Sequence, residues 1–495
     1  MPLRIEGRIG HRQTNMHSRW PICLLLTAGV LFVPELRAQK TPPTANLPWH
    51  SKEEREVAKQ LAADHQPSWI IDPEKIYTLP ELIDLAELHN PETQAAWQRA
   101  RVRANELGIA RSAYYPTIEA SVFAASIRQA ALIGEFFHRQ TFGLVSPTLH
   151  VEYLLFDVGG RSGGVDVAKA NLLIQNLEFN DTHRRLIYQI ASAYFQLLNA
   201  RGQREAAEIS LKNAETVESD AENRLKNGLA TRTDFLEASA AKAQADYDLQ
   251  ATLGAEQIAQ GQLATSMGLP ADTQFNVQSI SDIAIPTSLA DSLSEELERA
   301  FCQRPELLAD MARIRGAQGE LKQARSSYFP TIHFAGDGGL IRGYGQQDLL
   351  PGHYAEGETW SAGMELRWTI FDGARREKQV AAAQAKRSAA DADLHALRDQ
   401  IEQEVFVSYT NMRTGLRQQQ AATALLAAST QSYEAALQSY DLGLRSQLDV
   451  ISAQKNLAQA RSEDVAARSG LLLDVANLAF RTGDMIQIQA QATKP

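Results

Sequence analysis

The sequence predicts an α+β membrane protein in which one unit, a long α-helical hairpin attached to a pair of β-strands, occurs twice. The segment 359–370 alternates apolar and polar residues, which is the pattern of a strand with two unlike faces. Residues 374–440 then contain no proline and are rich in alanine, glutamine, arginine and glutamate. This composition favours a single helix about 100 Å long. A strand that leads directly into so long a helix is unusual for a globular domain.

The unit is duplicated, because four short motifs return in the same order at a spacing of about 215 residues. A spacing this large excludes a solenoid of small repeats and indicates two large substructures. The motif pairs are Asn90-Pro91-Glu92 with Arg304-Pro305-Glu306, Tyr115-Pro116 with Phe329-Pro330, Phe156-Asp157 with Phe371-Asp372, and Asn227-Gly228-Leu229 with Leu442-Gly443-Leu444.

The duplication and the N-terminal composition set the predicted domain organisation. A signal peptide is expected because Arg19 precedes an apolar run and Ala38 offers a small residue for cleavage. The proline-rich segment after it is expected to be a linker with one short helix over 53–63. The predicted segments are the signal peptide (1–38), the N-terminal linker (39–77), the first repeat (78–290), the second repeat (291–483) and a C-terminal tail (484–495).

The start residue and the two cysteines are relevant to how the chain is expected to be exported. Met16 is a more ordinary start than Met1, because residues 1–15 add only a polar extension. Cys23 lacks the small residues that precede a lipidated cysteine, so no lipidation is expected. Once the signal peptide is removed, Cys302 is the remaining cysteine, which excludes an intrachain disulfide and predicts a buried, inert thiol.

Composition narrows the class of protein. The net charge of −10 and the pI of 5.7 argue against a nucleic-acid surface. Aromatic residues make up only 7% of the chain, which suits helices packed side by side. Beyond the signal peptide no stretch of about 18 consecutive apolar residues occurs, so no transmembrane helix is predicted. The exported chain is therefore expected in the periplasm, outside the cell, or in an outer membrane as a barrel.

The first repeat is predicted to contain four helices and two strands. Residues 129–141 are expected to form the connection between the strands. Asn227-Gly228 ends the long helix, because glycine tolerates the left-handed conformation found at helix ends. The expected helices cover about 79–89, 92–114, 161–226 and 231–267, and the expected strands cover about 117–124 and 145–155.

The second repeat is predicted to follow the same plan. A glycine-rich loop (Gly343, Gly345, Gly352 and Gly357) is expected between its strands. The expected helices cover about 292–301, 305–327, 374–440 and 446–481, and the expected strands cover about 331–341 and 359–370.

Within the long helix of the second repeat, apolar residues at steps of three, four or seven predict a packing stripe. A plain pair of coiled-coil hairpins would account for such helices, but it does not explain the strand pairs. The residues of the stripe are Leu394, Leu397, Ile401, Val405, Met412 and Leu416.

The strands imply an oligomer if they enter a membrane. Four strands of about 10–13 residues are long enough to cross a bilayer when tilted. They cannot close into a barrel, which needs about eight strands or more. An open sheet edge in hydrocarbon leaves unpaired amides and carbonyls, each costing several kcal/mol, so several chains would have to share one barrel. The alternative is two hairpins exposed to solvent on a periplasmic protein.

These motifs together resemble the TolC-like outer-membrane efflux protein family over residues 78–483. The resemblance implies a homotrimer in which twelve strands form one barrel in the outer membrane of a Gram-negative bacterium. Twelve helices would form a tunnel across the periplasm. The implied function is passive export in a tripartite efflux or secretion system, with a periplasmic adaptor and an inner-membrane pump as partners and without nucleic acid.

The resemblance makes the two helix turns the adaptor contacts, at Gly228, Leu229, Gly443, Leu444 and Ser446. An exposed leucine beside a glycine offers a small apolar knob to a partner helix. The alternative is that each glycine merely ends a helix and each leucine packs locally.

The resemblance also implies a gate in which Tyr440 and Arg445, near one turn, bond to Thr233 and Asp234, near the other. Contacts between arginine and carboxylate are directional and can bias a two-state opening. The alternative is ordinary helix capping by Thr231 or Thr233, with Asp234 favoured by the helix dipole.

Asp449 matches a family aspartate that lines the narrowest constriction. Three copies would form an acidic ring that attracts cations and repels anions. Ser452 stands where the family has a second aspartate, so weaker cation block is expected than from a double ring. The alternative for Asp449 is a first-turn aspartate that stabilises its own helix.

Two rival classes of protein differ from this chain in their motifs and hairpins. An enzyme would need a catalytic or metal-binding motif, and none is present in the sequence, so neither catalysis nor a cofactor nor a metal site is predicted. A periplasmic coiled-coil adaptor or structural protein would carry one helical hairpin with small β domains, whereas this chain carries two hairpins with paired strands. Specificity for cargo is expected to reside in the pump.

Overall fold

The computed structural model describes residues 52–63, 69–133, 135–285, 292–347 and 352–485. The predicted signal peptide, the alternative starts and Cys23 lie outside these residues, as does most of the predicted tail. Helix α1 (Lys52–Ala63) agrees with the helix expected in the linker and belongs to a first compact unit, residues 1–66. The elements below belong to a second unit, residues 67–495.

The second unit repeats one order of elements twice. The first half contains β1 (Ile76–Tyr77), α2 (Leu79–His89), α3 (Pro91–Ser112), β2 (Thr117–Ile133), β3 (Phe136–Phe156), α4 (Gly160–Lys226) and α5 (Arg232–Ser266). The second half contains β4 (Asn276–Val277), a 3-10 turn (Ile280–Asp282), α6 (Leu293–Gln303), α7 (Pro305–Ser326), β5 (Thr331–Gln347), β6 (His353–Arg367), α8 (Arg375–Asp441) and α9 (Gln447–Thr482).

Helices α4 and α8 dominate the chain, with 67 residues each, or about 100 Å at 1.5 Å per residue. The predicted long helix and its boundaries are confirmed. Each long helix packs against its return helix, α5 or α9, and α4 also packs against α3, α7 and α9. In the residues that the structure describes, no helix is both long and apolar enough to cross a membrane.

The four long strands form one antiparallel sheet in the order β2-β3-β5-β6, so β2 and β6 are its edges. The strands contain 17, 21, 17 and 15 residues, which is longer than expected. The prediction that residues 129–141 connect β2 and β3 is wrong, because pairing continues to Ile133 and Phe136. Three of the glycines predicted in a loop, Gly343, Gly345 and Gly357, lie within β5 and β6.

The sheet has one apolar and one polar face, as the alternation predicts. Residues directly opposite one another on neighbouring strands share a face. One row across the sheet is Ala120, Leu149, Gly338 and Trp360, and the adjacent row on the other face is Glu119, His150, Asp337 and Ser361. The apolar face is uncovered in the single chain, where Trp360 is 80% exposed.

The main core lies where α2, the middle of α4, and the ends of α5 and α9 meet. Residues 69–77 contribute Trp69, Ile71 and Tyr77 to it, so part of the segment expected to be a linker is packed. A second cluster joins α6, α7 and α8 and contains Leu394, Leu397, Ile401 and Val405 of the predicted stripe.

Buried charges tie the two repeats together beside the core. Arg184 of α4 is 1% exposed; it bonds Asp181 on its own helix, Glu306 on α7 and the carbonyl oxygen of Phe480 on α9. Burying an arginine is costly unless carboxylates and carbonyls surround it, as they do here.

The prediction that Cys302 is buried is wrong, because its side chain is exposed in the single chain. Cys302 lies near the end of α6, two residues after the fully buried Ala300. Two residues along a helix turn the side chain to a different face, so the cysteine leaves the core that Ala300 enters.

Candidate functional site

The two turns that join the helix pairs have the same backbone geometry. Helices α4 and α8 both end in a glycine with positive φ, 74° at Gly228 and 73° at Gly443. The next amide bonds back five residues, from Leu229 to the carbonyl of Arg224 at 2.8 Å and from Leu444 to that of Ser439 at 2.8 Å. This is the hydrogen-bond pattern of a glycine-ended helix. The predicted helix ends at both glycines are therefore confirmed.

The leucine after each glycine points away from its own chain. Leu229 and Leu444 are both 76% exposed. A leucine with a local packing role would lose most of its exposed area. In the single chain each leucine is therefore an exposed apolar knob on its own turn.

The return helices begin with matching capping boxes. The hydroxyl of Thr231 accepts from the Asp234 amide at 3.2 Å, and Asp234 Oδ2 accepts from the Thr231 amide at 2.8 Å. Ser446 and Asp449 repeat this arrangement at 3.4 Å and 3.0 Å. Thr231 rather than Thr233 is thus the cap, and both aspartates stabilise the starts of their helices.

The carboxyl of Asp449 is held in its charged form. Hydrogen bonds from the Ser446 amide and then the Ser446 hydroxyl lower its pKa below the ordinary value of 3.8, and the nearby charge of Arg445 acts in the same direction. A carboxylate that accepts such bonds binds its proton less readily. Asp449 therefore carries a full negative charge at any physiological pH.

Tyr440 lies between the two hairpins and not at a free surface. It packs against a small apolar cluster that joins α4, α5, α8 and α9. Burial raises the pKa of its hydroxyl, and the charges of Asp234, Asp220 and Asp441 add to the rise. The structure thus brings Tyr440 and Asp234 into one neighbourhood. The cluster consists of Val217, Ala221, Ala238 and Val450, with Tyr433, Leu437, Tyr440 and Ile451 packed against it.

Arg445 and Thr233 are exposed at the tips. Within the described ranges of this single chain, no hydrogen bond or ion pair joins Arg445 to Thr233 or to Asp234. Arg445 lies near Asp449 on its own hairpin, where its positive charge lowers the pKa of that carboxyl. The structure therefore places the four predicted gate residues at one end of the molecule, but it does not join the two turns through Arg445.

Arg224 is a residue of this region that the sequence reasoning missed. Its guanidinium carbon lies 4.2 Å from the centre of the Tyr440 ring, and its Nη2 donates to Asp441 Oδ1 at 2.7 Å. An arginine in the last turn of a helix is common, because it interacts favourably with the helix dipole. Nothing in the local sequence therefore separates Arg224 from an ordinary C-terminal cation.

In the ranges that the structure describes, no group of three or more histidine, cysteine, aspartate or glutamate side chains is arranged to hold a metal ion. The chemistry of the tips is that of exposed leucines, capped helices and a few ion pairs.

Comparison with known proteins identifies the family. The family model described as outer membrane efflux protein matches residues 82–269 and 297–484, one match in each repeat. Protein CyaE of Bordetella pertussis is 26% identical over 78% of this chain and 82% of its own length. The outer membrane efflux protein BepC of Brucella suis is 23% identical over 84% of this chain and 89% of its own length.

The fold is also shared with solved structures. The outer membrane protein VceC of Vibrio cholerae aligns with a TM-score of 0.67 and 20% identity, over 82% of this chain and 96% of that one. The two family matches cover both hairpins and both strand pairs, which does not favour a single-hairpin adaptor. Because the family match spans both repeats, the chain belongs to the outer membrane efflux protein family and is an outer-membrane efflux channel that extends into the periplasm.

Proposed function

We propose that three copies of this chain pool their sheets into one twelve-stranded barrel in outer-membrane lipid, while their helices form a periplasmic tunnel. The observation that carries this proposal is the four-stranded sheet with two unpaired edges, β2 and β6. Four strands are too few to close, and open edges in hydrocarbon are costly. Since every neighbouring pair is antiparallel and four is an even number, β6 of one copy runs antiparallel to β2 of the next.

The two faces of the sheet support the same arrangement. The apolar face, with Trp360, Met364 and Val122 exposed by 80%, 75% and 70%, would meet lipid. The polar face, with Glu119, His150 and Asp337 in one row, would line the water-filled interior. Strands of 15–21 residues exceed the roughly 9–11 that cross a bilayer when tilted, so their ends would extend into water.

The helical tips would contact a periplasmic adaptor that is bound in turn to an inner-membrane pump. Leu229 and Leu444 present equivalent apolar knobs beside Gly228 and Gly443, and Ser446 lies beside them at the start of α9. Small residues next to a knob let a partner helix approach closely. Two equivalent turns per chain would give a trimer six such contacts.

The same tips would form the gate and the constriction. Arg445 is exposed, so its partners in a closed trimer would be Thr233 and Asp234 of a neighbouring copy, with Tyr440 completing the gate from within the chain. Three copies of Asp449, each kept charged by its capping bonds, would form a ring that selects cations. The chain would act as a duct and not as an enzyme.

Purification in detergent tests the proposal. The mass of the protein in the micelle, from light scattering, should equal three chains, and the particle should conduct ions when inserted in a planar bilayer. A monomeric particle, or a chain recovered in the soluble fraction after cell breakage, would contradict the proposed assembly. Assay of the same preparation against a panel of hydrolase substrates should give no turnover.

A further inference from the structure

Arg224, Tyr440 and Asp441, here called the tip latch, form a contact between the two hairpins that shares Tyr440 with the predicted gate and adds Arg224 and Asp441 to it. Arg224 is in the last turn of α4, whereas Tyr440 and Asp441 are the last two residues of α8. We propose that Arg224 is a positioning residue that holds the end of α8 against α4 and so keeps the channel tip closed. This inference rests on the proposed channel function.

The guanidinium of Arg224 makes two different interactions. Its central carbon lies over the ring of Tyr440, 4.2 Å from the ring centre, and its Nη2 donates to Asp441 Oδ1 at 2.7 Å. A cation over an aromatic face and a charge-assisted hydrogen bond favour one relative position of the two helices. A lysine could supply the charge but not the planar stack together with the directed bond.

The charges around Tyr440 make Arg224 hard to replace. Asp220, Asp234 and Asp441 all lie near the Tyr440 hydroxyl, and Arg224 is the cation that acts on it from the described residues. Without Arg224, the carboxylates of Asp220, Asp234 and Asp441 would act on the Tyr440 hydroxyl with no cation among the described residues to offset them. Like charges repel, so the end of α8, which carries Asp441, would be pushed away from α4, which carries Asp220.

The other ion pairs of this region do not join the two hairpins. Lys226 pairs with Glu222 on its own helix at 2.7 Å, and Lys242 on α5 pairs with Glu218 on α4 at 3.0 Å, within the first hairpin. A movement of the second hairpin relative to the first would leave both pairs intact and break the tip latch. The tip latch is thus placed to oppose that movement.

The tip latch is only partly desolvated, with the side chains of Arg224 and Asp441 28% and 61% exposed. A partly exposed contact of this kind contributes little to the free energy of the closed state in one chain. A symmetric trimer, however, would contain three copies that open together. A shift of the opening equilibrium of about fivefold or more is therefore expected on its loss.

Charge reversal tests the tip latch. Arg224→Glu and Asp441→Arg should each raise the open probability of purified channels in a planar bilayer by about fivefold or more. The double variant restores opposite charges at the two positions and should return the open probability towards that of the wild type. Lys226→Glu, two residues from Arg224 on the same helix, is the matched control and should leave the open probability within about twofold.

The outcomes separate the latch from the channel function on which it rests. If the wild type conducts and the single variants open no more often than Lys226→Glu, or if the double variant opens as often as the singles, the latch is wrong. If the wild type does not conduct, the proposed channel function fails first. Should Arg224→Glu not assemble, Arg224→Gln removes the charge while keeping a polar side chain, and it carries the same expectation.

Discussion

The guanidinium of Arg376 lies 2.9 Å from the carboxylate of Asp372, in the turn where β6 passes into α8, and the two side chains are only 13% and 10% exposed. Arg376 also donates to the carbonyl oxygen of Ile370 at 3.1 Å. Asp157 and Arg161 repeat the pair between β3 and α4. Each pair joins the first turn of a long helix to the short segment that follows a strand, so it fixes the start of the helix relative to the end of the sheet.

Arg376→Ala should lower the free energy of unfolding by about 3 kcal/mol, because it leaves the Asp372 carboxylate buried without its cation. The measurement is urea unfolding of the detergent-solubilised protein followed by circular dichroism. Arg375→Ala is the matched control, since Arg375 is the exposed neighbour in the same turn and its loss should change the unfolding free energy by less than about 0.5 kcal/mol. Equal unfolding curves for the two variants would rule out a stabilising role for the pair.

Helices α4 and α7 cross with their backbones in contact at Gly163 and Gly319. A Cβ atom on Gly163 would lie 2.8 Å from the carbonyl oxygen of Gly319 and 2.8 Å from the amide of Gln323. Gly163→Ala should therefore destabilise the fold by about 1–3 kcal/mol, by forcing the helices apart. Gly164→Ala is the control, because its Cβ would meet nothing nearer than 3.9 Å. A Gly163→Ala protein as stable as Gly164→Ala would mean that the crossing can relax freely.

Regular periodicity explains which parts of the fold could be predicted. Helices α4 and α8 contain no proline over 67 residues each, and the return helices start with capping residues after a glycine, so both boundaries are visible in the chain. The outer parts of the strand pairs could not be predicted. Residues 125–143 contain no clean alternation, and pairing between the strands extends them to the tip of the hairpin.

Contacts between distant parts of the chain explain what was missed at the site. Arg224 and Asp441 are 217 residues apart, and neither differs from an ordinary residue near a helix end. Arg161 and Arg376, in contrast, each lie four residues after the aspartate of the repeated Phe-Asp motif. An alignment of the two repeats that extends past this motif therefore predicts both arginines. Local sequence rules can predict the capping boxes at Thr231 and Ser446, because each box joins two residues three positions apart.

Block of the channel by divalent cations should depend on Asp449. Its capping bonds keep the pKa below 3.8, so the ring stays charged as the pH falls from 7 to 5, and block should be lost only as the pH falls through this lowered value. Asp449→Asn should weaken block at every pH above that lowered value. Ser446→Ala removes one bond to the carboxylate and should move the loss of block to higher pH. Block that is unaltered in Asp449→Asn would remove this residue from the constriction.

The exposed leucines should matter for partner binding and not for the channel itself. Leu229→Glu and Leu444→Glu place a charge where an apolar knob should enter the adaptor, so in-cell cross-linking to the adaptor and export of the channel's cargo should both fall at least about tenfold. Conductance in a bilayer should be unchanged. Leu88→Glu on α2, where Leu88 is 71% exposed, is the control for adding a charge at an exposed leucine. Normal cross-linking of both tip variants would exclude the knobs as adaptor contacts.

Asp234 has two proposed tasks, and a matched pair of variants separates them. Its Oδ2 accepts the capping bonds from Thr231, and the gate proposal adds a contact with Arg445 of a neighbouring copy. Asp234→Ala removes both, whereas Thr231→Ala removes the capping hydroxyl and keeps the carboxylate. If the gate contact exists, Asp234→Ala and Arg445→Ala should raise the bilayer conductance several-fold, while Thr231→Ala should lower only the stability, by about 1 kcal/mol. If instead Thr231→Ala raises conductance as much as Asp234→Ala, fraying of α5 opens the channel, and the carboxylate has no part in the gate beyond its capping bonds.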